Sequence, residues 1–160
     1  MTDRKISIRP SLPEDAPIIA MIEKECFSEP WSESSIRALI NDEKAVSVTA
    51  VYGDTNEIAG FGSYYFVLDE GYINNIAVRA PFRRRGVGAQ IVESLKDKGK
   101  ELGLSLISLE VRRSNEGAIA LYSSRGFTET GVRKGFYPIH GGGREDAVLM
   151  SFIFEGPSAE

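Results

Sequence analysis

The chain is poor in the residues that staple or metallate small proteins. Its 160 residues contain one cysteine, Cys26, and one histidine, His140. A lone cysteine excludes an internal disulfide, and these two residues leave little for a zinc site. No apolar run is long enough to span a bilayer, and none follows Met1-Thr2-Asp3-Arg4-Lys5 as a secretory signal would require. An excess of basic charge is missing too, since 19 Lys and Arg face 23 Asp and Glu for a net charge of −4. A general nucleic-acid binder needs the opposite field for its phosphate contacts. The expectation is a soluble cytoplasmic protein, a monomer, with no metal and with neither nucleic acid nor membrane as a direct partner.

What is present suits a self-sufficient core. Hydrophobic residues make up 42% and charged residues 26%, and a chain of this length buries about 70% of its unfolded surface. The length fits one domain, expected over residues 1–155, with a disordered tail at 156–160. Ile6 and Ile8 alternate with polar residues as in a short strand. Ser11-Leu12-Pro13-Glu14 reads as a capping box opening a helix to Cys26. After the loop Phe27–Trp31, Ser32 caps a helix ending near Asn41. Ala45–Val51 and Ile58–Val67 flank turn chemistry at Gly53-Asp54-Thr55-Asn56, which predicts a hairpin. Tyr72–Val78 carries apolar residues on both faces, as a central strand does. Val87, Ile91, Leu95 and Leu102 mark one stripe of a helix stopping at Gly103. Leu104–Val111 predicts a strand, Ser114 caps a helix through Arg125, and Phe127–Val132 and Ala147–Phe154 close the fold. The order β-α-α-β-β-β-α-β-α-β-β is that of a mixed α/β domain.

The segment that carries chemistry is Arg83-Arg84-Arg85-Gly86-Val87-Gly88-Ala89, between a buried strand and an amphipathic helix. Gly86 and Gly88 permit close backbone approach, and first-turn amides have no intrahelical partner. The positive end of the helix favours an anion such as a pyrophosphate. Arg79, Arg83, Arg84 and Arg85 concentrate positive charge there, although a solvated basic turn would look the same. No Gly-Lys-Ser/Thr follows, which excludes a Walker A loop, and Ile91 stands where a dinucleotide fingerprint needs its third Gly.

Arg83-x-x-Gly86-x-Gly88 resembles the acetyl-CoA motif of the GNAT acetyltransferases. Gly71–Val78, Leu109-Glu110-Val111-Arg112-Arg113-Ser114-Asn115, Ala118–Tyr122 before Gly126-Phe127, Tyr137-Pro138 and Gly143–Ala147 extend it over nearly the whole chain. The set is similar to the RimI-type ribosomal-protein-alanine N-acetyltransferases. The resemblance implies the GNAT acyl-CoA N-acyltransferase fold, a mixed central sheet flanked by helices, with acetyl-CoA as co-substrate. It implies that Ile76, Ala77 and Val78 lie on a strand that splays from its neighbour and pairs with the pantetheine arm. Arg84, Arg85, Gly86, Val87, Gly88 and Ala89 become the pyrophosphate cradle, Arg83 adds a side-chain contact, and Asn115 falls on the cofactor unless it is an ordinary loop residue.

By the same resemblance Glu110 is the general base and Tyr122 the general acid of transfer to an amine. The alternatives are an ion pair of Glu110 with Arg112, two residues along the same face, and a Tyr122 ring packed in the core. The implied acceptor is a protein N-terminus, the N-terminal alanine of a small-subunit ribosomal protein. Proton affinities fit an α-amine: its pKa of about 7.7–8.0 against about 10.4 for Lys saves roughly 3.4 kcal/mol in making the neutral nucleophile at pH 7. Rival readings are the same chemistry on other N-termini or small amines, and a non-catalytic acyl-CoA-binding module. Cys26 reads as a small buried hydrophobe and His140 as a surface residue. Trp31 either lines an acceptor groove or anchors its loop, and the stretches around Trp31 and Tyr137 are where a peptide is expected.

Overall fold

Ile6 and Ile8 open a series of elements that follows the expected order. In the computed structural model, which describes residues 5–156, the strands are β1 (Ile6–Pro10), β2 (Ala45–Tyr52), β3 (Glu57–Val67), β4 (Glu70–Val78), β5 (Leu106–Arg112), β6 (Thr128–Pro138) and β7 (Arg144–Ile153). The helices are α1 (Ala16–Cys26), α2 (Glu33–Ile40), α3 (Val87–Leu102) and α4 (Glu116–Ser124), with short 3-10 turns at Pro13–Asp15 and Ala80–Phe82. The tail expected at 156–160 lies, from residue 157 onward, outside the described residues.

Two helix starts differ from expectation by one residue. Leu12, not Ser11, precedes the first turn, and its amide donates to Asp15 at 2.8 Å rather than to Glu14. Asp15 takes that place because Arg9 grips its carboxylate at 2.7 and 2.9 Å, while Ser11 bonds Thr49 of β2 at 2.7 Å. Asn115, not Ser114, caps α4 by accepting the Ala118 amide at 3.1 Å. Ser32 caps α2 as expected. The closing strands are longer than their apolar pattern: β6 passes Val132 and reaches Pro138 through register shifts between Glu129 and Gly131 and between Arg133 and Tyr137.

All the strands join one sheet in the order β1-β2-β3-β4-β5-β7-β6. On one face α3 buries Val87, Ile91, Val92 and Leu95 with Tyr64, Leu109 and Val148. On the other, Ile19, Ile36 and Leu39 of α1 and α2 cover Phe61, and Ile22 meets Ile58 and Ala77. Each such side chain stabilises the fold by about 1.5–3 kcal/mol of burial.

One seam sets up everything functional. β4 and β5 run parallel and pair only at Glu70–Leu106, Gly71–Ile107 and Tyr72–Ser108. Past these pairs β4 continues to Val78 bonded to β3, and β5 continues to Arg112 bonded to β7. The two strands diverge, and each presents an unpaired edge to the gap.

Candidate active site

At the far end of β4 the gap opens into a cleft of about 610 Å³ walled by Ile76, Ala77, Val78, Arg84, Gly86, Val87, Gly88, Ala89 and Asn115. Gly86 precedes α3 in the left-handed conformation, φ +78°, and no side chain caps the helix. The first-turn amides therefore remain available to an anion, with the helix dipole behind them. A Cβ on Gly86 would meet nothing within 4 Å, so its glycine is required by conformation and leaves open space beside it. Gly88 differs, because a Cβ there would stand 3.1 Å from Leu121 of α4. Arg84 is itself left-handed at φ +61°, a strain of about 1–2 kcal/mol for a residue with a side chain.

On the opposite side of the seam, Tyr72, Asn74, Ser108, Glu110, Arg133 and Tyr137 line a wedge of about 450 Å³. Glu110 projects from β5 and pairs with Arg133 of β6 at 3.1 Å, not with Arg112. Arg112 is engaged by Glu145 at 2.9 Å. Both arginines lie opposite Ala147 of the intervening β7, which is how Arg133 comes to face β5.

Residues 17–127 match the acetyltransferase (GNAT) family. The chain belongs to that family. It is 37% identical over 137 residues to the ribosomal protein bS18-alanine N-acetyltransferase of Escherichia coli K12, covering 86% of this chain and 90% of that protein. The Salmonella typhimurium enzyme of the same name is 38% identical over the same shares. The crystal structure of the Escherichia coli enzyme superposes with a TM-score of 0.86 at 33% identity, over 96% of this chain and 97% of that one. Arabidopsis thaliana NAA60 in complex with acetyl-CoA, at 22% identity and a TM-score of 0.83, shares the fold. The GNAT fold with its mixed sheet and the acetyltransferase character of the family are those of this chain, and GNAT acetyltransferases use acetyl-CoA.

The cradle fits a pyrophosphate-bearing ligand on its own terms, having uncapped amides, open space at Gly86 and an unpaired strand edge leading away from it. Of the residues expected there, Arg85 alone does not line the cleft. Arg83 turns inward, donating through Nε to the Val78 carbonyl at 2.9 Å and through Nη2 to Cys26 Sγ at 3.4 Å. It braces the end of β4 while lining the cleft. Asn115 lines the cleft while its Oδ1 caps α4, which leaves its amide nitrogen for a ligand.

Tyr122 lies in the core shared by α3, α4 and the sheet, its ring 5.5 Å from Phe127. Burial pushes its phenol well above the ordinary value, so it keeps its proton. It lines neither the cleft nor the wedge, though its helix neighbours Ala118 and Leu121 line the cleft. Trp31 stacks on Tyr65 at 6.4 Å and packs under α1 and α2, which makes it a loop anchor. Tyr137 does face the wedge.

Three participants were not legible locally. Cys26 is half-buried at the cleft wall beside Phe27, rather than fully enclosed. Arg133 reaches Glu110 only through the β5-β7-β6 order. Glu23 is 1% exposed and accepts from Asn75 at 2.9 and 3.1 Å and from the Trp31 amide, joining α1 to β4 and the α1–α2 loop. Among the described residues no group of three or more His, Cys, Asp or Glu is placed to hold a metal, and no helix is long and apolar enough to cross a membrane.

Proposed function

We propose that this GNAT enzyme transfers the acetyl group of acetyl-CoA to the N-terminal α-amine of a protein, with an N-terminal alanine of ribosomal protein bS18 as its acceptor. The observation that carries the reading is the β4–β5 divergence: it sets an anion cradle on one side of a single gap and a carboxylate-bearing wedge on the other. The relatives that act on bS18 alanine match this chain over most of both lengths, which supports the acceptor. Residues 1–155 work as one catalytic domain in this reading, in the cytoplasm.

In the mechanism, Val87, Gly88 and Ala89 offer amides to the pyrophosphate, and Arg84 supplies charge beside them. Ile76, Ala77 and Val78 offer the free β4 edge to the pantetheine arm, and the Val78 amide polarises the thioester carbonyl. Acetyl-CoA supplies an activated acyl group with a thiolate leaving group. Glu110 takes the proton of the acceptor ammonium, directly or through one water, and its exposure in the wedge lets the amine reach it. The amine then attacks the carbonyl carbon, its nitrogen loses its second proton to solvent, and the C–S bond breaks. Tyr122 gives its proton to the departing sulfur and regains one from solvent before the next turnover. Its raised affinity for that proton keeps it in the donor form but makes it a weak acid, so its service depends on the incipient thiolate lying close by. Asn115 holds the cofactor through its free amide nitrogen.

The test is intact-mass analysis of peptides incubated with the protein and acetyl-CoA. A peptide with the bS18 N-terminus should gain one acetyl group, located by fragmentation on its first residue. Turnover on a polyamine with none on peptides would replace this reading by a small-amine acetyltransferase. Acetyl-CoA binding without turnover on either would leave a binding module.

A further inference from the structure

Arg112 ends β5 two residues beyond Glu110, yet its guanidinium turns away from that carboxylate. Nη1 donates to Glu145 at 2.9 Å and to the Pro138 carbonyl at 3.0 Å. The guanidinium carbon lies 4.5 Å from the centre of the Tyr137 ring. All three contacts fall on the distal end of the β6–β7 hairpin.

That end is poorly held by its own ladder. Pairing lapses between Arg133 and Tyr137 and resumes where Tyr137 faces Glu145. Within the lapse Gly135 is left-handed, at φ +59°, and its amide donates to Asp146 at 2.9 Å. A bulge re-aims the strand beyond it, so the direction of Tyr137 depends on what grips the segment from the side. Arg144 of β7 donates to the Gly135 and Phe136 carbonyls within the lapse, and Arg112 grips Tyr137 and Pro138 beyond it from the strand that carries Glu110. The second oxygen of Glu145 accepts the Ser114 amide at 3.3 Å, just before the residue that caps α4. One carboxylate thus ties the hairpin both to β5 and to the turn entering α4.

Tyr137 lines the wedge with Glu110. Burial, with Glu110 adding to it, raises its phenol above the ordinary value despite Arg112, so the hydroxyl is a hydrogen-bond donor. We propose that Arg112 is a positioning residue for the acceptor: it holds the Tyr137 ring at the wedge so that the phenol meets the first residues of the acceptor peptide beside Glu110. Lysine would carry the charge but not the guanidinium that reaches the ring at 4.5 Å while its Nη1 bonds Glu145 and Pro138.

The proposal rests on the wedge being the acceptor site, and the experiment separates the two. Arg112→Lys, Tyr137→Ala and the double variant are compared in the full chain, using a peptide that begins with free alanine. Peptide KM, kcat, acetyl-CoA affinity by calorimetry and thermal unfolding are measured for each. Arg112→Lys raises peptide KM about tenfold, the worth of a cation–π contact and one carbonyl bond, and leaves acetyl-CoA affinity unchanged. Tyr137→Ala raises it at least as much. Adding Arg112→Lys to Tyr137→Ala then changes nothing further, because the arginine acts through the ring. Losses that multiply in the double variant overturn the proposal. So does a lower unfolding temperature in Arg112→Lys with peptide KM unmoved, while Tyr137→Ala alone still raises it. If Tyr137→Ala leaves peptide KM unmoved, the wedge is not the acceptor site, and the acceptor geometry of the proposed function falls as well.

Discussion

The Glu110 carboxylate stands 3.1 Å from the Arg133 guanidinium, while Arg112 on its own strand is held by Glu145. Glu110 and Arg133 are both partly open to water, and an exposed pair of this kind contributes only about 0–1 kcal/mol. An arriving ammonium can displace Arg133 at small cost. The guanidinium marks the place where a cation sits against the proposed base.

Glu110→Gln keeps the shape and removes the base. Turnover at neutral pH should fall by about 10²–10⁴-fold, and raising the pH toward 9.5 should restore part of it as more acceptor amine becomes neutral in solution. A Glu110→Gln enzyme with full activity at neutral pH would reduce the carboxylate to a partner for Arg133.

Tyr122→Phe keeps the ring against Phe127 and deletes only the hydroxyl. Turnover should drop while acetyl-CoA affinity and unfolding temperature stay close to the parent values. High pH should not rescue it, since hydroxide cannot replace a proton donor. Because burial raises the phenol, the parent enzyme should show no loss of rate from Tyr122 ionisation until well above its ordinary value of 10.0. Normal turnover by the variant would return Tyr122 to the core alone.

Gly86 and Gly88 should respond differently although they belong to one motif. Gly88→Asp places a carboxylate in the anion cradle and presses on Leu121, so acetyl-CoA binding should be lost. Gly86→Ala meets no neighbour but must hold φ +78°, so its main effect should be about 1 kcal/mol of stability. Calorimetry and thermal unfolding read the two effects separately. Unchanged binding by a folded Gly88→Asp protein would remove the loop from the site.

Local patterns carried the elements, and long-range register carried the site. The Val87-Ile91-Leu95 stripe and the Gly103 stop were legible because helix periodicity and a C-terminal glycine are written within a few residues. Ser11 and Ser114 misled because each start moved on by one residue, with Asp15 accepting the Leu12 amide and Asn115 the Ala118 amide. The polar run Arg133-Lys134-Gly135 hid the extension of β6, since a bulge lets a strand continue past residues that break its alternation. Arg112 lay nearest Glu110 in sequence, yet Glu145 claimed it from across β7. The resemblance pointed to the proposed cradle and to Glu110 as the proposed base, but which cation faces that carboxylate depends on a strand order that no local spacing encodes.

Two buried carboxylates should make stability depend on pH in opposite senses. Burial raises Glu23 above its ordinary value of 4.5, outweighing the bonds from Asn75 and the Trp31 amide. Its contribution is therefore complete below 4.5 and is lost as pH rises through the raised folded value. Glu23→Gln should gain on the parent as pH rises from 4 to 8. For Asp15 burial acts upward, but Arg9, the Leu12 amide and Thr49 outweigh it and hold it below 3.8. Its contribution is present above 3.8 and fades as pH falls through the lowered folded value. Asp15→Asn should cost about 3 kcal/mol at neutral pH, and less in strong acid. Denaturant titrations across pH check both signs, and parallel curves for parent and variant would contradict them.

The choice of an α-amine is the claim on which the rest depends. Its most direct measurement is the ratio of kcat/KM for two peptides of one sequence. One begins with free alanine and contains no lysine, and the other has a blocked N-terminus and an internal lysine. The difference of roughly 2.5 pKa units between these amines, together with the wedge, predicts efficient acetylation of the first and little of the second. Equal values, or a preference for the lysine peptide, would contradict N-terminal acetyl transfer by this protein.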